Sequence, residues 1–318
     1  MVPLSQGDPL PSETKVAGDD PMKSVTSFSR RGFLLTAGGG LIAASALEAP
    51  GAMAADAFAN LRAKGVIRIG NGIFGTKPYV WQEDGHYHGF EHGLLLALLK
   101  KLQIANFKYV ITDWTTLIPG LKADRWDIIM CGMMKDAQRV EGGGIAMSRP
   151  YAFIHDLIIV KEDSPLKTVA SLKGKALGSV VGTTDSLVAQ SLVDRGIAAR
   201  VRLFNTYGEP FLALQQGRID AVILDQLTYK GQQEHFKNMR VVGQPLDYIA
   251  TPKWKGAQEK ADYRLGGIAI GVRRDDPALL EAINSGLDEL DKEGVRKNIF
   301  EKYGIWDKYQ TRDWMMKG

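Results

Sequence analysis

One cysteine, Cys131, occurs in the 318 residues. A single thiol excludes an internal disulfide framework and a multi-cysteine metal site. Cys131 lies in an apolar run, so it reads as buried and inert. There is no G-x-S-x-G, no H-E-x-x-H and no P-loop. The GGG at 142–144 follows no strand and opens no helix, which argues against a nucleotide site. No basic cluster stands out in a chain of formal net charge +4, so nucleic acid is a poor candidate partner. What remains is an ordinary globular composition, 45% hydrophobic and 24% charged, with enough length for two domains.

The first 54 residues differ from the rest. A long polar stretch leads to Arg30-Arg31-Gly32-Phe33-Leu34-Leu35, then to TAGGGLIAASAL, then to Ala52-Met53-Ala54. The apolar run falls short of the ~20 residues that span a bilayer. A charged start, a mild apolar stretch and a small-residue cleavage site together read as a signal peptide. The arginine pair resembles the twin-arginine export signal. The expectation is that residues 1–54 are removed and that the mature protein is periplasmic.

From Val66 onward, strand-like and helix-like segments alternate, which predicts an α/β architecture. VIRIG, FKYVIT, DIIMC, KALGSVV, DAVILD and GGIAIGV read as strands, and YAFIHDLIIV as one long extended run. Asp275-Asp276-Pro277 opens a C-terminal helix whose Leu280, Ile283, Leu287 and Leu290 keep helical spacing. One pattern occurs twice. LIPGLKADRWDIIMCG (117–132) parallels PFLALQQGRIDAVILD (210–225), with Asp127 and Asp220 each opening an apolar run. Those two aspartates read as structural, holding strand starts or pairing with Arg125 and Arg218. If the copies are equivalent, Gly132 and Asp225 stand at corresponding carboxyl ends of strands, where open α/β sheets bind ligands.

These residues resemble a family. VIRIGNG, the Asp84–Glu91 turn, WTTLIPGLKADRWDII, the AQR ending at Arg139, SRPYAF, SLKGKALGSVVGTT, RIDAVILD and LDKEGVRKNIFEKYG follow the order and spacing of ABC-importer solute-binding proteins, specifically the polar amino-acid-binding group. The resemblance implies a two-lobed periplasmic-binding-protein fold of type II, two αβ sheets joined by two hinge strands. Lobe one is expected at 55–150 and 266–310, lobe two at 156–261, hinges near 151–155 and 262–265, and a C-terminal tail at 311–318.

The resemblance also implies a ligand clamp. Arg139 would grip a ligand α-carboxylate, for which a planar guanidinium is suited. Asp225 would accept the α-ammonium from the other lobe. Gly132, Gly182, Thr183 and Thr184 match positions that complete the clamp, and Met134 stands where many members offer a hydroxyl. Trp114 would cover the ligand side chain, with Tyr79 and Phe74 as further wall candidates. Each residue also has a plainer reading. Arg139 can be a solvated charge after a turn, Asp225 a helix cap, Trp114 core, and Thr183 part of the Gly182 turn. Met134 and Asp136 depart from the family pattern, which puts a standard amino acid as ligand in doubt.

His86, His88, Glu91 and His92 have spacing that a metal can use, but they fall in the family's first turn, and neither metal nor cofactor is expected. The implied partners are a small carboxylate-bearing or zwitterionic solute, an ABC permease and, during export, the twin-arginine translocase. A monomer is expected. Two rival functions share the fold: a prephenate-type dehydratase using Asp225 as acid, and a ligand-sensing lobe for a membrane receptor.

Overall fold

A computed structural model describes residues 50–317, with side chains from residue 57. The twin-arginine segment lies outside the described residues, and Ala52-Met53-Ala54 falls within the first helix. The strands are β1 (Val66–Asn71), β2 (Trp81–Glu83), β3 (His86–His88), β4 (Asn106–Ile111), β5 (Ile128–Ile129), β6 (Ile145–Met147) and β7 (Ala152–Phe153). They continue as β8 (Asp156–Lys161), β9 (Ala176–Val180), β10 (Arg200–Phe204), β11 (Ala221–Asp225), β12 (Met239–Leu246), β13 (Gly267–Ile268) and β14 (Gly271–Arg273). The helices are α1 (Pro50–Lys64), α2 (Phe90–Leu102), α3 (Leu117–Lys122), α4 (Thr184–Asp194) and α5 (Glu209–Gln215). After them come α6 (Gln226–Gln232), α7 (Lys255–Lys260), α8 (Pro277–Lys292), α9 (Val295–Lys302) and α10 (Arg312–Met315).

The repeat seen in the sequence is a repeat of topology. One sheet has the order β4-β1-β5-β14-β6 and the other β10-β9-β11-β8-β12. In each, the first strand of the unit is flanked by two parallel neighbours, and an antiparallel strand follows the third. Thus β5 and β11 hold the same place, and Gly132 and Asp225 lie at matching strand ends.

The repeated aspartates have one job. Asp127 Oδ2 accepts from the backbone N–H of Arg68 on β1 at 2.7 Å, and the Asp127 N–H donates to the Arg68 carbonyl. Asp220 Oδ2 accepts from Ala176 N–H on β9 at 2.8 Å, and its own N–H returns a bond to Ala176. Each stitches the third strand of a unit to the first. Their cationic partners are Arg68 and Lys175, not the expected Arg125 and Arg218.

The lobes are joined by β7 and β13, which pair antiparallel. Two long runs are therefore shorter than their hydrophobicity suggests. YAFIHDLIIV splits into β7 at the crossing and β8 in the second sheet, and GGIAIGV into β13 and β14. The last residues are built into this junction. Gln310 accepts from Phe153 N–H at 2.9 Å and donates to its carbonyl at 3.0 Å. Beyond it, Arg264 N–H donates to Met315, and Lys317 N–H to Asp262. Helix α8 starts as expected, with Asp276 accepting from Leu279 N–H. Its buried stripe is Leu279, Ile283, Leu287 and Leu290, with Leu280 only half buried. Among the described residues, no helix is long and apolar enough to cross a membrane.

Removing the Asp127 carboxylate leaves a backbone N–H and Arg68 without their partner. Asp127→Ala is expected to cost about 1–3 kcal/mol in a urea titration, and Asp220→Ala less, because its carboxylate is more exposed and screened. Equal losses would contradict this account of the repeat.

Candidate functional site

A cleft of about 560 Å³ lies between the Met133–Gly143 segment that follows β5 and the Gly182 turn that follows β9. Trp114, Arg139, Gly182, Thr183 and Thr184 line it together, with Lys253 and Trp254 at the rim. Five of the ten sequence-predicted residues thus share one cavity. Gly132, Tyr79 and Asp225 lie buried outside its lining. Met134, also buried, borders a smaller adjoining pocket with Tyr248 and Gln258. Phe74 lines a separate opening of about 500 Å³, with Asp113 and Tyr207.

Arg139 is held from its own loop. Its Nη1 donates to the Met134 carbonyl at 2.8 Å and lies 3.3 Å from Asp136 Oδ2. Asp136 Oδ1 in turn accepts from Arg139 N–H at 2.8 Å. The guanidinium carbon sits 5.9 Å from the Trp114 ring centroid, within cation–π range. Gly132 must be glycine: its φ is +68°, and a Cβ there would meet the Tyr79 ring at 2.9 Å.

On the second lobe, Asp225 caps α6. Its Oδ1 accepts from Leu227 and Thr228 N–H, both at 2.9 Å, and Oδ2 accepts from the Thr228 hydroxyl at 2.5 Å. A fourth donor comes from the other lobe, the Tyr79 hydroxyl at 2.8 Å. The same helix and the turn after it make further contacts across the junction. Lys77 pairs with Glu234 at 2.9 Å, and Lys230 donates to the carbonyls of Tyr303 and Gly304. A Cβ on Gly231 would overlap the Lys77 carbonyl. Thr183 caps α4, accepting from Ser186 N–H at 3.2 Å and donating to the Val180 carbonyl at 2.7 Å. The plainer readings of Asp225 and Thr183 as caps therefore describe real hydrogen bonds, and a ligand role has to coexist with them.

Sequence reasoning passed over the strongest electrostatic feature. Asp156 and Asp185 are both buried, and the Tyr248 hydroxyl sits 2.7 Å from Asp156 Oδ1 and 3.2 Å from Asp185 Oδ1. Glu91 is buried on the first-lobe side, accepting from Gly132 N–H at 2.6 Å and from the Tyr151 hydroxyl. Burial pushes Glu91 up to about 7. Burial, then the nearby Asp225 charge, pushes Asp185 to about 7. Asp156 is also raised, by burial and then by Asp185, and Asp225 is raised by burial against the pull of its hydrogen bonds. One signal was legible: Asp156 is the lone acid inside the apolar run FIHDLIIV. The histidines fall on the β2–β3 hairpin and α2, where His88 stacks on Trp81 and His92 Nδ1 meets the Tyr109 hydroxyl at 3.2 Å.

These carboxyls have folded pKa values above their unfolded ones, so the folded chain keeps protons that the unfolded chain has released. Their contribution to stability is fully present below about pH 4 and is lost as pH rises through about 7, where Glu91 and Asp185 release their protons. Urea midpoints of the dialysed protein at pH 5 and 8 test this. A lower midpoint at pH 8, partly restored by Glu91→Gln, is expected. An unchanged or higher midpoint contradicts it.

Comparison with known proteins places this geometry. The model of the bacterial extracellular solute-binding proteins, family 3, matches residues 71–305. The histidine-binding periplasmic protein of Salmonella typhimurium is 30% identical over 231 residues, covering 71% of this chain and 82% of that protein. The ABC transporter arginine-binding protein 1 of Escherichia coli is 29% identical over 215 residues, covering 68% and 81%. Among solved structures, a variant of ArgBP from T. maritima is 28% identical with a TM-score of 0.65, over 78% of this chain and 98% of that one. The chain belongs to the bacterial extracellular solute-binding proteins of family 3, with the two-lobed α/β fold of type II periplasmic binding proteins.

Proposed function

We propose that the protein captures an amino acid between its lobes in the periplasm and delivers it to an ABC permease of the inner membrane, without chemical turnover. The observation that carries this reading is the opposition of charge across the cleft. Arg139 lines the first-lobe wall, and three acids are buried behind the second-lobe wall: Asp225 at the end of β11, Asp156 at the start of β8 and Asp185 in the first turn of α4. An amino acid has a carboxylate for the first and an ammonium for the second. Family membership, and relatives named for arginine and histidine binding, support the same reading. In this reading residues 55–150 and 266–310 form one lobe and 156–261 the other, the protein acts as a monomer, and residues 1–54 direct export through the twin-arginine translocase.

Trp114, Gly182, Thr183 and Thr184 would complete the ligand's surroundings. Asp225, already capping α6 and bonded to Tyr79, would couple ligand capture to closure, because a ligand shifts the open–closed balance only by binding one state better. Thermal denaturation against a panel of amino acids and organic acids is the test, since a bound ligand raises the midpoint. Arg139→Ala should then weaken the best hit by about 2–5 kcal/mol in calorimetry. Full affinity in that variant would overturn the clamp, and a panel with only non-amino-acid hits would overturn the ligand class.

A further inference from the structure

Two openings lie on either side of Trp114. The main cleft of about 560 Å³ has Trp114 and Arg139 in its wall. The second opening, of about 500 Å³, is lined by Gly72, Phe74, Asp113, Asn205, Thr206 and Tyr207. The indole reaches from one to the other, since a Cβ on Gly72 would meet its Cδ1 at 3.3 Å. From the facing side comes Tyr207, in the turn between β10 and α5. Its ring stands edge to face with Trp114, with centroids 6.3 Å apart and planes at 62°. Trp114 follows β4 of the first sheet and Tyr207 follows β10 of the second, so the pair bars the space between the lobes. Both side chains are buried.

The bar is pinned at both ends. Glu209, the first residue of α5, accepts from Asn205 N–H at 2.8 Å and from Thr206 N–H at 3.0 Å, which fixes the turn just before Tyr207. The Thr116 hydroxyl donates to the Asp113 carbonyl at 2.8 Å and fixes the turn that carries Trp114. Charges from both walls act on the Tyr207 hydroxyl. After burial, Asp185 and Asp225 push it up, and Arg139 pulls it down. The hydroxyl thus lies among the charges that a ligand between the lobes would meet. Trp114 Nε1 is buried and has no hydrogen-bond partner among the described residues, so the indole keeps a donor for a ligand atom.

We propose that Tyr207 is a specificity residue: it closes the far end of the main cleft and sets the greatest side-chain length that the ligand can have. This rests on the reading that an amino acid binds with its carboxylate on Arg139. Arg139 and Tyr207 flank one indole, at 5.9 and 6.3 Å from its centroid. A ligand held by Arg139 runs its side chain along Trp114 and meets the Tyr207 ring. Crowding a close-packed wall forces strained rotamers or backbone shifts, and the pinned turn resists both. Removing the ring joins the two openings. A longer side chain then ends among Asp113, Asn205 and Thr206.

The test is calorimetry with α-amino acids that differ only in methylene count. One series is L-alanine, L-norvaline and L-norleucine, a second L-asparagine, L-glutamine and L-homoglutamine, and a third L-ornithine, L-lysine and L-homolysine. In the series that binds, wild-type affinity should fall by about tenfold or more once the length limit is passed, the scale of discrimination in a closed pocket. Tyr207→Ala should move that limit to a longer member, while members short of it keep their affinity within about twofold. Tyr207→Phe keeps the ring and should keep the wild-type limit. Four results would overturn the stop and leave the amino-acid reading standing: wild-type affinity that rises without a break to the longest member, an unchanged limit in Tyr207→Ala, an equal loss for short and long members, or a moved limit in Tyr207→Phe. Hits confined to branched or ring side chains outside these series would also overturn the stop alone. No binding of any common amino acid would overturn both. The wild-type limit needs no variant, and Tyr207→Leu, which keeps apolar bulk, is the second variant should the Ala protein fold poorly.

Discussion

Burying an ionised carboxylate costs several kcal/mol unless donors or a cation meet it, and this molecule buries four where its two lobes meet. Glu91, Asp156, Asp185 and Asp225 all lie within a few per cent of full burial. The rest of the junction is arranged around them. Gly132 is turned so that its N–H reaches Glu91, Tyr151 leaves the hinge side towards the same carboxylate, and α6 is placed so that its first N–H groups satisfy Asp225. Tyr79 closes the circuit between lobes. The fold supplies four donors to Asp225, two to one oxygen of Glu91, and a single hydroxyl, Tyr248, to Asp156 and Asp185 together.

The duplicated unit explains why acids and arginine end up face to face. Each half runs strand, helix, strand, helix, strand, with the third strand beside the first. Each half is stitched by an aspartate to the first strand. The third strand then points its carboxyl end towards the junction, where one copy continues through Gly132 into the Arg139 loop that lines the cleft and the other ends in the buried Asp225. A single architectural device thus places opposite charges on opposite walls. The second-lobe wall gains further acid from the antiparallel strand β8 and the start of α4.

Much of this was legible in the residues. The repeat and the α8 cap follow from local patterns that the structure preserves, and the grouping of Trp114, Arg139 and the Gly182 turn was implied by the family resemblance. Other features depend on which sheet a segment joins, and hydrophobic period does not carry that information. YAFIHDLIIV and GGIAIGV look continuous because each is apolar throughout, yet each leaves the junction for a different sheet partway along. Leu280 and Leu279 exchange roles because a shift of one residue turns a helix by about 100°. The Asp156–Asp185 pair was hidden for a related reason: its members are far apart in sequence, and only the pairing of β8 with β11 and the packing of α4 bring them to one hydroxyl. Asp225 shows the opposite case, a residue whose predicted cap is visible and whose second partner, Tyr79, comes from the other lobe.

The central claim is that one ligand is gripped from both walls of the cleft. A crystal structure of the protein with its tightest-binding amino acid tests it most directly. The account predicts the ligand carboxylate within hydrogen-bond reach of the Arg139 guanidinium, with the ligand's positive groups towards the acids of the second lobe. A ligand seated elsewhere, for instance in the cavity of about 620 Å³ between Glu162 and His235 on the second lobe, or one whose carboxylate makes no contact with Arg139, would contradict it.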